Sequence, residues 1–214
     1  MNDQQQPLDD LQHIKQMMER SSRFISLSGL SGIAAGVCAL GGAWFANRKI
    51  NFQEQGDKSI DYLIGAGGIQ LISDLLWIAT FTFISAFISA FFFTYLRSKK
   101  NKLPMWGSAT LRLFWNTTIP MLVGGIFIIR MMQYGLYDFV APACLIFYGL
   151  ALVNASKYTL GEIRYLGLGQ LALGIMNLWY VGYGLYFWAM GFGLLHIGYG
   201  IMMWYRYEQG GKNG

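Results

Sequence analysis

Three polar side chains stand inside long apolar runs: Asn116, Asn177 and His196. A polar group at membrane depth is costly in contact with lipid, so each calls for a partner or a task. An imidazole can hold or pass a proton, and a carboxamide both donates and accepts hydrogen bonds. Gathered around one space, the three would form a polar interior pocket. Kept apart, they would be hydrogen-bond glue between helices, often about 0.6 kcal/mol each. Counting about 1.5 Å of rise per residue puts Asn177 near the midplane and His196 about 9 Å below the outer end of its helix. Asn116 leads Asn116-Thr117-Thr118 into Pro120, which lacks a backbone donor and predicts a kink.

Two charged groupings are the next candidates. Asp74, Arg130 and Asp138 are expected near the outer face, where Asp74 and Arg130 either pair or reach the headgroups separately. Asp74 also falls in the early turns of its segment, where the helix dipole favours a negative charge. On the inner side, Thr159-Leu160-Gly161-Glu162 fits a capping box with Thr159 as N-cap and Glu162 at N3. The functional alternative is a cytoplasmic contact patch made of Lys157, Glu162 and Arg164.

Other chemistries lack their residues. The chain has two histidines, His13 and His196, too few for a histidine-based metal site, and no metal or other cofactor is expected. Its two cysteines, Cys38 and Cys144, lie in apolar runs, unlike a disulfide framework. There is no nucleophile elbow, no H-E-x-x-H pair and no phosphate-binding loop. An enzyme would have to be assembled from single residues on different helices, and the sequence leans away from one.

The elements that must position these residues follow from composition. The 214 residues are 54% hydrophobic, 16% aromatic and 13% charged, where a soluble domain has about 25% charged residues. Six segments are long and apolar enough to cross a bilayer, near 24–46, 69–96, 108–132, 138–156, 160–187 and 190–207. The expected fold is an all-α polytopic membrane protein, a six-transmembrane-helix bundle. The first segment is longer than a signal-peptide core and follows a long stretch bearing Asp9, Asp10 and Glu19, so it is expected to be retained. The net charge of +5 does not point to nucleic acid, because the basic residues flank apolar segments. With the N-terminus inside, twelve Lys and Arg fall on the inner side and four, Arg48, Lys49, Lys58 and Arg130, on the outer, so both termini are expected in the cytoplasm. The Arg97–Lys102 cluster is the strongest single contribution.

Residues 1–22 are expected to form an amphipathic helix at the cytoplasmic surface, with Leu8, Leu11, Ile14 and Met18 on one stripe. Residues 23–207 make the transmembrane domain, 59–64 a half-turned surface helix in the first outer loop, and 208–214 a disordered tail. Small residues dominate the first segment, with Ser28, Gly32 and Gly36 at intervals of four. In lipid such rows allow helices to approach closely, here within the chain or between two copies. Val181-Gly182-Tyr183-Gly184 is echoed by Ile197-Gly198-Tyr199-Gly200, which predicts a glycine seam between helices five and six or a ligand groove.

The stretches ERSSRFISLSGLSGIAAG, YGLALVNASKYTLGEIRYLG and GFGLLHIGYG resemble an uncharacterised family of bacterial integral membrane proteins with no known activity. The resemblance implies a bacterial cytoplasmic membrane and no particular reaction. The expected function is sensory, regulatory or scaffolding, with the bilayer and a cytoplasmic protein or a second copy as partners. A small-molecule transporter or channel component is the alternative, and a membrane-embedded enzyme the third.

Overall fold

The computed structural model describes residues 28–55, 66–101 and 107–209. The expected helix at 1–22, the half-turn at 59–64 and residues 210–214 lie outside them. Every regular element among the described residues is helical: α1 (Gly29–Gln55), α2 (Ala66–Lys100), α3 (Ser108–Gln133), a 3-10 turn (Tyr137–Phe139), α4 (Val140–Ala155), α5 (Ile163–Asn177) and a last rod, α6. The rod α6 occupies residues 184–209 and is α-helical over Gly184–Trp188, π-helical over Ala189–Leu195, α-helical over His196–Trp204 and π-helical over Tyr205–Gln209.

Five described stretches are long and apolar enough to cross a membrane: Gly29–Phe52, Gly68–Lys100, Ser108–Gln133, Tyr137–Ala155 and Gly184–Tyr207. The chain therefore has the build of a multi-pass membrane protein. The expected fifth span, 160–187, is shorter. Helix α5 has 15 residues and stops at Asn177, about 22 Å of rise. The chain then turns and starts α6 at Gly184, inside what hydropathy reads as one segment. Trp179, Tyr180, Val181 and Tyr183 make this turn. Such aromatic side chains suit an interfacial turn yet do not lower the apolar average. Gly182 supplies the positive φ of 91° that the reversal requires.

Neighbouring helices pack antiparallel. Lys49 meets Asp74 and Cys38 faces Ser89 between α1 and α2. Phe127 meets Phe147 and Asn116 meets Asn154 between α3 and α4. Helices α4 and α5 cross at two glycines, where a Cβ on Gly149 would lie 2.9 Å from the Gly167 carbonyl, and the reverse holds equally. The expected close packing of α1 is present within the chain, and its partner is α6. A Cβ on Gly36 would stand 2.7 Å from Gly193 O, and one on Gly200 would stand 2.6 Å from Gly29 O. Gly29 also abuts Trp204, so α1 and α6 run in opposite directions.

The glycine echo serves two different ends. Its first copy is the turn before α6. Its second copy packs Gly200 on α1, while Gly198 faces open space. A seam between helices five and six is not what these glycines form. Helix α6 also packs on α4 and α5, and α3 packs on α4. Helix α2, outermost on the other side, has α1 as its main partner. Phe83 and Phe87 on its free side are exposed, as lipid-facing positions are.

Candidate functional site

His196 lies at the centre of a buried polar knot. It begins the α-helical turn that follows the π-helical stretch and is 7% exposed. Its Nδ1 sits 3.0 Å from the Gly191 carbonyl, which can only accept. In the neutral ring Nδ1 therefore carries the proton, leaving Nε2 to accept from the Tyr148 hydroxyl at 2.8 Å. The Gln170 amide, fully buried on α5, also donates to Gly191 O at 2.8 Å. Wide π-helical turns often mark special sites, and here one lets a main-chain carbonyl serve two side chains. Phe192 stacks on His196 and meets the Tyr148 ring at a tilt of 41°, with ring centroids 6.1 and 5.1 Å away. The knot thus ties α4, α5 and α6 together. Two buried oxygens, Gln170 Oε1 in the knot and the hydroxyl of Tyr199 about one turn further along α6, have no hydrogen-bond partner among the described residues.

The expected pocket of Asn116, Asn177 and His196 is not gathered at one place. Asn116 belongs to a contact between α3 and α4. Its own Nδ2 donates to Arg112 O at 2.8 Å. The Asn154 amide donates to Asn116 O at 2.9 Å and to Asn116 Oδ1 at 3.2 Å. The carbonyl needs that donor. In an α-helix it would accept from the backbone nitrogen four residues on, which is Pro120 and has no proton. Asn177 ends α5 instead of lying mid-helix. It is 1% exposed, its Nδ2 donates to Tyr180 O at 3.1 Å, and its Oδ1 has no partner among the described residues. His196 in turn lies near the middle of α6, because that rod starts at Gly184.

The charged candidates also part. Asp74 pairs with Lys49 at 2.8 Å and accepts from Gln70 at 3.2 Å. Arg130 donates to Gln133 at 2.7 Å and to the Tyr134 hydroxyl at 3.0 Å, with its guanidinium over the Tyr134 ring. The pairing of Asp74 with Arg130 is therefore replaced by an α1–α2 ion pair and by contacts within the last turn of α3, since α2 packs mainly on α1. Glu162 accepts from Tyr207 at 2.6 Å and pairs with Arg206 at 3.2 Å. That carboxylate ties the start of α5 to the end of α6, and no side-chain cap is formed at the start of α5. Lys157 and Arg164 are exposed and have no ion pair among the described residues.

A cleft of about 400 Å³ opens between two walls. Helices α1 and α2 make one, with Ala43, Ile72 and Thr82. The 3-10 turn, α4 and α6 make the other, with Asp138, Ala141 and Trp188. Its size and apolar lining suit a small ligand. No family model, curated protein or solved structure matches this chain.

Tyr148, Gln170 and Asn154 were not singled out by sequence. Each sits in an apolar run without any spacing relation to its partner. Only Pro120 carried a readable signal, because a proline in a helix always leaves the carbonyl four residues earlier in search of a donor.

Proposed function

We propose that the chain is a sensory or regulatory protein of the bacterial cytoplasmic membrane, crossing it six times with both ends inside. Twelve inner basic residues against four outer ones favour this orientation. Antiparallel packing of α1 on α6 favours an even number of crossings, because Gly29 and Trp204 then share one face. Helix α5, although short, runs the length of α4 and serves as the remaining crossing, with Leu145 beside Gly174 and Val153 beside Gly167.

One observation carries the regulatory reading. Helix α2 leans on α1 along one edge, walls the cleft in its first half, and ends in Arg97, Lys99 and Lys100. A change in the cleft can reach that basic end as a tilt of one 35-residue rod, while the glycine-locked body of α1, α4, α5 and α6 stays fixed. The bilayer is the permanent partner. A cytoplasmic protein or a second copy of the chain would read the basic end together with residues 1–22.

Spin labels at Lys99→Cys and Lys157→Cys, in a Cys38→Ser, Cys144→Ala background in lipid nanodiscs, test this. Ala79→Trp, which fills the cleft from α2, is expected to move the distance distribution between the labels. An unchanged distribution would overturn the tilting rod.

A transporter is the second reading, favoured by the unpartnered buried Gln170 Oε1 in the His196 knot and the Tyr199 hydroxyl about one turn further along α6. It expects single cysteines at Asn116, Asn177 and His196 to react with an aqueous thiol reagent. Inert cysteines at all three would dismiss it.

A further inference from the structure

Among the described residues one charged side chain lines the cleft, and one unmet acceptor lies behind its lining. Asp138 lines it from the 3-10 turn. Among the described residues Asp138 is the only charged side chain that lines the cleft and has no ion pair, and it is exposed. Gly184 lines the cleft where α6 begins. Behind Gly184 stands the Asn177 Oδ1, buried and unpartnered, 3.9 Å from where a Cβ on that glycine would be. A buried acceptor left without a donor carries its full desolvation penalty, and Gly184 puts no side chain between it and the cleft. The rest of the lining is apolar apart from Thr82, Tyr137 and backbone.

We propose that this cleft binds a cationic amphiphile, an apolar chain or ring system carrying a protonated amine, with the amine at Asp138 and one of its protons directed to Asn177 Oδ1. The apolar body lies between the α1–α2 wall and the α4–α6 wall, against Trp188. A neutral lipid chain would fill the same space but leave both polar groups unanswered. An anionic amphiphile would place its charge against the Asp138 carboxylate. The proposal supplies a ligand class for the regulatory reading and rests on that reading for its purpose, but its binding chemistry stands apart.

The test is titration calorimetry of the full chain in nanodiscs of zwitterionic lipid, with empty nanodiscs as the blank. The probes are decylamine, decanol and decanoate, used below their aggregation limits. Saturable decylamine binding is expected, at least tenfold tighter than decanol, with decanoate weakest. Asp138→Asn is expected to bring decylamine to the level of decanol, and the exposed position of Asp138 leaves the fold intact. Ala79→Trp is expected to remove binding of all three. Equal affinity for the three probes, or decylamine binding indifferent to Asp138→Asn, would overturn the proposal, as would the lack of any saturable signal. Failure here leaves the spin-label experiment unaffected, since that one fills the cleft with a side chain and needs no ligand.

Discussion

The contact between Asn154 and Asn116 makes a prediction that two substitutions can isolate. Pro120 deprives Asn116 O of its helical donor, and the Asn154 amide replaces it at 2.9 Å. Asn154→Leu removes that donor, and a carbonyl left unsatisfied away from water costs about 1–3 kcal/mol. Side-chain hydrogen bonds inside membrane proteins span about 0.6 to 1.7 kcal/mol in double-mutant cycles. A loss of about 1.5 kcal/mol is therefore expected for Asn154→Leu alone, near the overlap of those ranges. Pro120→Ala restores a backbone N–H to the same carbonyl. In that background Asn154→Leu should cost only what its second bond to Asn116 Oδ1 contributes, about 0.5 kcal/mol. The cycle should thus show a coupling of about 1 kcal/mol between residues 120 and 154, although neither side chain is the partner of the other. Unfolding of the four proteins in mixed micelles, with circular dichroism as the readout, measures it. Equal cost of Asn154→Leu in both backgrounds would refute the idea that the proline created the need for Asn154.

Other consequences follow from the same packing. Gly200→Leu should lower the thermal midpoint strongly, because a Cβ there already meets Gly29 O at 2.6 Å, and overpacking costs about 1–3 kcal/mol. Gly198→Ala, two residues away and facing open space, should be neutral or stabilising in the same thermal scan. Tyr148→Phe should destabilise by about 1 kcal/mol by taking the donor from His196 Nε2, and His196→Leu added to it should cost less than His196→Leu alone; additive losses would show that the two do not act through one bond. Lys49→Met should cost about 1 kcal/mol or less in a thermal scan of a nanodisc sample, since Lys49 is exposed and Asp74 part-exposed.

What could be read in advance depended on whether a signal is local. Long apolar runs gave the helices, and the row Ser28, Gly32, Gly36 gave the tightly packed face of α1, because both are properties of contiguous sequence. The break between α5 and α6 was illegible to hydropathy, since its turn is built from Trp179, Tyr180 and Tyr183, which an interface accepts as readily as a core does. The polar interior was legible only as a set of unpaired halves. Asn116 and His196 stood out, but their partners Asn154 and Tyr148 lie 38 and 48 residues away, with no spacing to betray them. The general reason is that inside a membrane a polar side chain answers a need raised elsewhere, often by a backbone carbonyl. The Asn116–Asn154 contact and the His196 knot both have that form: a proline frees the carbonyl of Asn116, and the carbonyl of Gly191 in a π-helical turn meets Gln170 and His196. The productive question to ask of such a sequence is therefore where its helices must surrender a carbonyl, and only then which amide or imidazole reaches it. Proline answers the first part by its chemistry. A π-turn leaves no comparable mark, so the His196 knot had to be seen in three dimensions.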